Sequence, residues 1–341
     1  MNIIVTGGAG FIGSNFVYFL LKNRKEWNIT VIDDLTYAGN LENIAKLIDD
    51  NKIKFIKANI VDGKKIDECF EALKPDYVVN FAAETHVDRS ILSAAEFVST
   101  NVLGTQVLLN ASMAHGAKRY VQISTDEVYG ALGKEGSFYE HTPLNPTSPY
   151  SASKAGADFL VNAFFKTYSL DVCITRCTNN YGPYQFPEKL IPLFLTNALD
   201  DKDLPLYGDG MNVRSWIYVD DHLDAILKVL ENGRAGEVYN IGGSVEAEIP
   251  NKIVAEKILK IIGKPTSLIK YVKDRVGHDF RYSVDCTKIK NELGWEPKIN
   301  FEDGLQKTIN WYLENENWWK KVKSAEYQAY YELNYKDRFE K

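Results

Sequence analysis

No apolar run in the 341-residue sequence reaches 18 residues, which excludes a transmembrane helix of ordinary length. There is also no excess of positive charge: 40 Lys+Arg against 46 Asp+Glu leaves a formal −6. Without a net basic field to attract phosphate backbones, general nucleic-acid binding is not expected. Cysteine is scarce. Cys69, Cys173, Cys177 and Cys286 contain no CxxC pair, so neither a disulfide framework nor a zinc site is indicated, and no metal is expected. Cys173 and Cys177 share parity in a strand-like run and read as packing residues. Internal repeats, low-complexity tracts and flexible linkers are absent. After Met1 the chain enters the strand-like run 2–6 with no basic segment before it, so a secretory signal is not expected and a cytoplasmic location is.

What is present is an ordinary globular composition, 45% hydrophobic and 25% charged, long enough for two domains or one large α/β unit. Strand candidates are 2–6, 29–33, 53–57, 76–82, 119–124, 171–176 and, much later, 238–241. Most are apolar on both faces, as strands of a parallel sheet covered on both sides must be. Amphipathic stretches 14–25, 100–115 and 151–168 lie between them. Strand and helix in strict succession predict a Rossmann-type, doubly wound parallel sheet. From about Asn179 the rhythm breaks at Pro183, Pro187, Pro192 and the Gly208-Asp209-Gly210 turn. A helix over 219–230 and the 238–241 strand then return to the sheet, and the chain beyond Gly243 reads as mostly helical. It ends in an aromatic stretch with Trp311, Trp318, Trp319, Tyr327, Tyr330 and Tyr331, read as structural cover for the domain edge. The expected division is a dinucleotide-binding domain from 1–178 and 218–247, with a smaller mixed α/β domain from 179–217 and 248–341.

TGGAGFIGS, residues 6–14, leaves the first strand and opens the first helix with Gly7, Gly8, Gly10 and Gly13. Glycines let the backbone turn tightly and approach a pyrophosphate, and the helix N-terminus supplies N–H donors and positive dipole. Twenty residues past Gly13 the second strand ends in Asp33, whose carboxylate can accept from ribose hydroxyls but would repel a 2′-phosphate. No Lys or Arg lies between Asp33 and Asn40, so NAD is preferred to NADP. Tyr150 and Lys154, four apart after Asn145-Pro146-Thr147-Ser148-Pro149, share one helical face. A Tyr hydroxyl is a poor base at its reference pKa of about 10, and a neighbouring ammonium with the nicotinamide cation is expected to lower it. Tyr150 can then take the proton of a substrate hydroxyl as hydride leaves.

These residues make the chain resemble the extended short-chain dehydrogenase/reductase family of NAD-dependent epimerases and dehydratases, over nearly its whole length. STDEVYG (124–130) narrows the resemblance to the dTDP-glucose 4,6-dehydratases, because epimerases usually lack both carboxylates after the Ser-Thr pair. FAAETHVDRS (81–90), RCTNNYGPYQFPEKLIP (176–192), VYNIGG (238–243) and NELGWEP (291–297) agree. The resemblance implies a hydro-lyase that oxidises a nucleotide-sugar hexose at C4, eliminates water across C5–C6 and returns hydride to C6. It implies catalytic roles for Thr125, Asp126 as acid, Glu127 as base, Tyr150 and Lys154. Asp126 must then stay protonated at neutral pH through burial or a nearby negative charge.

Carried over residue by residue, further NAD contacts are Phe11, Ile12, Asp33, Asp34, Leu35, Thr36, Asn59, Ile60, Ala82, Ala83, Thr100 and Asn180. Contacts to dTDP-glucose are Thr85, Thr125, Asn179, Lys189, Leu190, Pro205, Tyr207, Arg214, Arg275 and His278. Arg214, Arg275 and Lys189 can supply the cations a diphosphate needs. His278 is either a phosphate donor or a packed loop histidine. The chain departs from the family pattern at Asn59, where Asp is usual, and at Val276, where Pro is usual. It also departs after Glu246, where the family's Asn is replaced by Ile249 with Asn251 two residues on. The family implies a homodimer paired through stretches 100–115 and 151–168, and deoxysugar synthesis such as that of rhamnose. Competing readings are a UDP- or CDP-glucose dehydratase, a nucleotide-sugar epimerase, and a non-catalytic NAD-sensing protein.

Overall fold

The computed structural model describes residues 1–274 and 279–323. Its strands are β1 (Asn2–Thr6), β2 (Asn28–Asp33), β3 (Lys54–Lys57), β4 (Tyr77–Asn80), β5 (Arg119–Thr125) and β6 (Val172–Cys177). They continue as β7 (Asn179–Tyr181), β8 (Leu204–Tyr207), β9 (Val213–Tyr218), β10 (Glu237–Ile241), β11 (Glu248–Pro250) and β12 (Ile269–Val272). Seven form one sheet in the order β10-β6-β5-β4-β1-β2-β3. Every pairing in it is parallel. The direction of winding reverses between β1 and β4, which places a crevice outside their C-terminal ends. All seven strands expected from the sequence are in this sheet, and the doubly wound α/β class holds.

Alternation explains the two cores. On β1, Ile3 and Val5 enter one cluster with Phe16, Val17 and Leu20 of the helix Phe11–Asn23 and with Ile226 and Leu230 of the helix Val219–Asn232. Ile4 enters the other, with Leu108 of the helix Thr105–Ala114 and Val161 of the helix Pro149–Tyr168. Successive side chains of a strand point to opposite faces, so a run apolar at every position needs cover on both.

Several boundaries differ from the sequence reading. Stretch 76–82 forms a strand only over Tyr77–Asn80. Asp76 caps the sheet edge by accepting from the Asn2 N–H at 2.7 Å, and beyond the Phe81 N–H bond to Thr6 the chain turns past the glycine loop. Stretch 100–115 opens as a π-helical turn, Val98–Gly104, before becoming α-helical. The helix Gly63–Leu73, capped by Asp62 accepting from the Lys65 N–H, has no counterpart in the expectation. Nor do β7, β8 and β9, or β11 and β12 in the mostly helical region beyond Gly243. β9 pairs with β11 antiparallel and β7 parallel, while β8 pairs with β12.

Around these small sheets lies a third core. Tyr181, Phe194, Trp216, Tyr218, Phe301, Tyr312 and Trp319 belong to it, with Trp311 and Trp318 partly buried against it. The terminal aromatics therefore build a core rather than only covering an edge; Tyr327, Tyr330 and Tyr331 lie outside the described residues. All four cysteines are free. Among the described residues no helix is long and apolar enough to cross a membrane.

Candidate active site

The cleft opens at the C-terminal ends of β1, β2, β4, β5 and β6. Its floor at β1 is the glycine loop. Gly7 has φ +68°, and a Cβ there would stand 2.6 Å from the Ala82 backbone nitrogen. A Cβ on Gly13 would stand 2.2 Å from the Gly7 carbonyl oxygen, so the first helical turn can lie against the loop only with glycine. Gly10, Phe11 and Ile12 line the cleft with them. Gly8 does not line it: the residue packs on Val31 of β2.

Asp33, at the end of β2, is buried. Its two carboxylate oxygens accept from the Ala9 N–H at 2.9 Å and the Leu35 N–H at 2.8 Å. Burial raises its pKa and those two bonds oppose the rise. Asp34 and Thr36 line the cleft beside it; Leu35 does not, and its φ of +56° turns the chain away there. Asn59 also lines the cleft. Its amide donates to Asp34 at 2.9 Å and its oxygen accepts from the Val61 N–H, which shows what an amide does where the family has a carboxylate. Ile60, Ala82, Ala83, Thr85 and Thr100 complete this side. A tight glycine cradle, a helix N-terminus and a ribose-competent carboxylate fit a dinucleotide.

The reactive groups stand on neighbouring strand ends. Thr125 closes β5, and its hydroxyl accepts from the Glu127 N–H at 3.3 Å, starting the 3₁₀ turn Asp126–Tyr129. That turn projects Asp126 and Glu127 over the cleft. Asp126 is 2% exposed, and its Oδ2 has no hydrogen-bond partner among the described residues. Burial first and the Glu127 charge second push its carboxyl up to about 8, against the opposing pull of Arg214. The requirement that Asp126 remain protonated is met by both causes foreseen.

Tyr150 enters from the helix Pro149–Tyr168, whose start is set by Ser148 and Ser151 capping each other's backbone N–H groups, with Pro149 in the first turn. Lys154, one turn on, donates to the Ile123 carbonyl at 2.6 Å. The protein's own groups act on Tyr150 in the other direction from that expected of the ammonium and the nicotinamide cation together. Burial, then Glu127, raises the Tyr150 hydroxyl well above its ordinary pKa, with a hydrogen bond to Thr125 opposing; the lysine is not among the causes. Burial lowers the Lys154 ammonium. The chain by itself therefore does not activate the tyrosine.

Asn179 and Asn180 on β7 reach the cleft, as does Lys189, which donates to the Thr85 carbonyl at 3.0 Å. His222 holds the Asn180 carboxamide oxygen at 2.8 Å, and complete burial pushes its pKa down to about 3, so it acts as a neutral donor. Not every expected residue lines this cleft. Leu190 opens the helix Leu190–Leu199, and Pro205 and Tyr207 lie on β8. Arg214, buried on β9, binds the carbonyls of Val213, Asp279 and Phe280 while acting electrostatically on Asp126. Arg275, Val276 and His278 lie outside the described residues. Ile249 is a core residue, whereas Asn251 is buried at the start of the helix Asn251–Ile262.

Sequence reasoning missed several cleft residues. Cys177, read as packing, lines the cleft with its thiol pushed up to about 12 by burial. Its position at the end of β6 was the available signal, the counterpart of Thr125 on β5. Glu84 and Glu188 line the cleft as well, and burial pushes Glu188 up to about 7.

The family model for GDP-mannose 4,6 dehydratase matches residues 4–308. A dTDP-glucose 4,6-dehydratase of Streptomyces niveus is 51% identical over 330 residues, covering 96% of this chain and 97% of that one. The chain belongs to the dTDP-glucose 4,6-dehydratase family. In three dimensions it is similar to the Streptomyces venezuelae dTDP-glucose 4,6-dehydratase DesIV, solved with NAD bound, with a TM-score of 0.91 and 50% identity over 94% of this chain and 100% of that one. A Thermotoga maritima UDP-glucose 4-epimerase follows at TM-score 0.86 and 32% identity, covering 93% and 100%. Fold alone therefore does not separate dehydration from epimerisation.

Proposed function

We propose that the chain is a hydro-lyase that converts dTDP-glucose to dTDP-4-keto-6-deoxyglucose with NAD as resident cofactor. One observation carries the choice over epimerisation: a buried Asp126, its carboxyl pushed up to about 8, beside Glu127 at the end of β5 in the cleft with Tyr150. Epimerisation at C4 has no use for such a pair.

When bound, NAD supplies the hydride acceptor at C4, the hydride donor to C6, and a positive charge beside Tyr150. Tyr150 takes the proton of the C4 hydroxyl, on the helical face it shares with Lys154. Once C4 is a ketone the C5 hydrogen is acidic, and Glu127 removes it. Asp126 gives its proton to the C6 hydroxyl, which leaves as water, and Glu127 returns a proton to C5 as hydride adds to C6. The two neighbours do opposite work because burial and the Glu127 charge favour the protonated form of Asp126. Thr125 orients both through the turn it caps.

In this reading residues 1–178 and 218–247 hold the cofactor, and 179–217 with 248–341 hold the nucleotide sugar. The glycine loop, Asp33 to Thr36, Asn59, Ile60, Ala82, Ala83, Thr100 and Asn180 contact NAD. Thr85, Asn179, Lys189, Leu190, Pro205, Tyr207, Arg214, Arg275 and His278 contact the sugar nucleotide. Four free thiols suit the cytoplasm.

The reaction is tested with dTDP-glucose deuterated at C4. The label should appear at C6 of the product with no net consumption of NAD. Retention of the label at C4, or a product still hydroxylated at C6, would refute dehydration.

The proposal includes a homodimer. Val98, Leu103, Met113, Phe159 and Tyr168 are large apolar side chains exposed along the 98–114 and 149–168 helical segments. Ala155, Ala157, Val161 and Phe164 of the second segment are buried within the chain. A light-scattering mass of one chain at micromolar concentration would overturn the dimer.

A further inference from the structure

Asn43 lies outside the cleft, yet it is 1% exposed and uses its whole side chain. Its Nδ2 donates to the Ala9 carbonyl, inside the glycine loop, at 2.8 Å. Its Oδ1 accepts from the Trp318 indole N–H at 2.8 Å. Its own carbonyl accepts from the Tyr18 hydroxyl at 3.1 Å. Trp318 stands on the helix Glu316–Val322, 275 residues away in sequence. We propose that Asn43 and Trp318 form a latch through which the terminal helix sets the glycine loop and thereby the hold on the dinucleotide.

The Ala9 peptide is the point of transfer. Its N–H donates to Asp33 at 2.9 Å, and its carbonyl accepts from Asn43 and from the Asn40 N–H at 3.1 Å. Asp33 and Asn43 thus hold opposite sides of the residue between Gly8 and Gly10. A shift of Ala9 moves the carboxylate that faces the ribose and the N–H groups that face the pyrophosphate together.

The indole is itself fixed. It packs edge-on to Tyr184 and to Trp311, with ring centroids 5.8 and 5.1 Å away, and Tyr184 stacks with Tyr18 on the first helix. An aromatic cluster of the third core therefore aims one N–H at Asn43. Buried hydrogen-bonded groups of this kind specify a single arrangement, because a displaced partner leaves an amide unsatisfied. Asn43 and Trp318 are positioning residues; neither lines the cleft.

The inference rests on the reading that the glycine loop holds NAD, and the experiment separates the two. NAD binding to the stripped protein is measured by calorimetry for the unmodified chain, Trp318→Phe and Asn43→Asp. Trp318→Phe keeps an aromatic ring in place of the larger indole and removes the N–H; its Kd for NAD should rise at least about two- to tenfold, the worth of one hydrogen bond. Asn43→Asp sets a carboxylate against the Ala9 carbonyl and should cost more than Trp318→Phe. At saturating NAD the kcat and sugar KM of Trp318→Phe should equal those of the unmodified chain. No NAD binding by the unmodified chain would refute the cofactor reading. NAD binding there with an unchanged Kd in Trp318→Phe would refute the latch alone, as would a loss of turnover that saturating NAD does not restore. Should Asn43→Asp fail to fold, Trp318→Phe still decides.

Discussion

In the seven-stranded sheet Ile3 and Val5 enter one core and Ile4 the other. In the three-stranded sheet β9 sends Ile217 into the first of those cores and Trp216 and Tyr218 into the third. The large sheet is mostly aliphatic: Thr6, Asp33, Asn80 and Thr125 close its strands, and Gln122, Arg176 and Asn240 are the larger polar side chains buried within them. The small sheets are short and aromatic, and they carry cations and amides such as Arg214 and Asn180 on the strands themselves. The difference maps onto chemistry. In the proposed reaction the groups that move protons stand at the strand ends or helix starts of the first region, while groups suited to a diphosphate come mostly from the second.

If that division holds, changes in the first region should act on turnover and changes in the second on binding or packing. The largest expected effect is Tyr150→Phe, which removes the base and keeps the ring. Its kcat should fall about 10²–10⁴-fold with the sugar KM little changed. A mainly KM effect would break the comparison.

Asp126→Asn tests the electrostatic cost of the same region. The folded carboxyl titrates near 8 and the unfolded one near 3.8. Between those values the folded chain holds a proton the unfolded chain has lost, so stability falls as pH rises. Asparagine has no such proton. The variant should therefore be inactive but increasingly more stable than the unmodified chain from pH 4 to pH 8, by up to about 5 kcal/mol. Parallel stability–pH curves from denaturant titrations would contradict the assigned cause.

Next comes Trp319→Ala in the third core, where the ring is 2% exposed and its N–H donates to the Tyr312 carbonyl at 3.1 Å. Unfolding free energy should drop by about 3–5 kcal/mol in urea titration. The smallest effect is Arg214→Lys, which replaces a planar fork by a point charge. A rise in sugar KM of roughly 10- to 100-fold with kcat nearly kept would place it with the diphosphate; an equal fall in kcat would move it into the first region.

The legibility of the two regions follows their construction. Strands apolar on both faces between amphipathic helices leave a continuous periodic signal, so all seven strands of the large sheet could be read from residues 2–241. β7, β8, β9, β11 and β12 are three to six residues long and set among prolines and glycines, outside the strand–helix alternation that marks even the four-residue β3 and β4. Within the site, the glycine loop, Asp33, Tyr150 and Lys154 were legible because each depends on spacing within one element. Cys177, Glu84 and Glu188 were not, since cleft-lining is a property of where strands end in space.

The sequence by itself determined the fold class and the dinucleotide cradle, because these rest on local periodicity and on residue chemistry at fixed intervals; the roles of Asp126 and Glu127 are what the family resemblance implies. Only the tertiary structure decided their protonation. Burial first and the Glu127 charge second push the Asp126 carboxyl up, and burial with the Glu127 charge pushes the Tyr150 hydroxyl up, while Lys154 donates to the Ile123 carbonyl. Desolvation depends on what surrounds a group from every side, and residues as far apart as Asn43 and Trp318 meet only when the chain is folded.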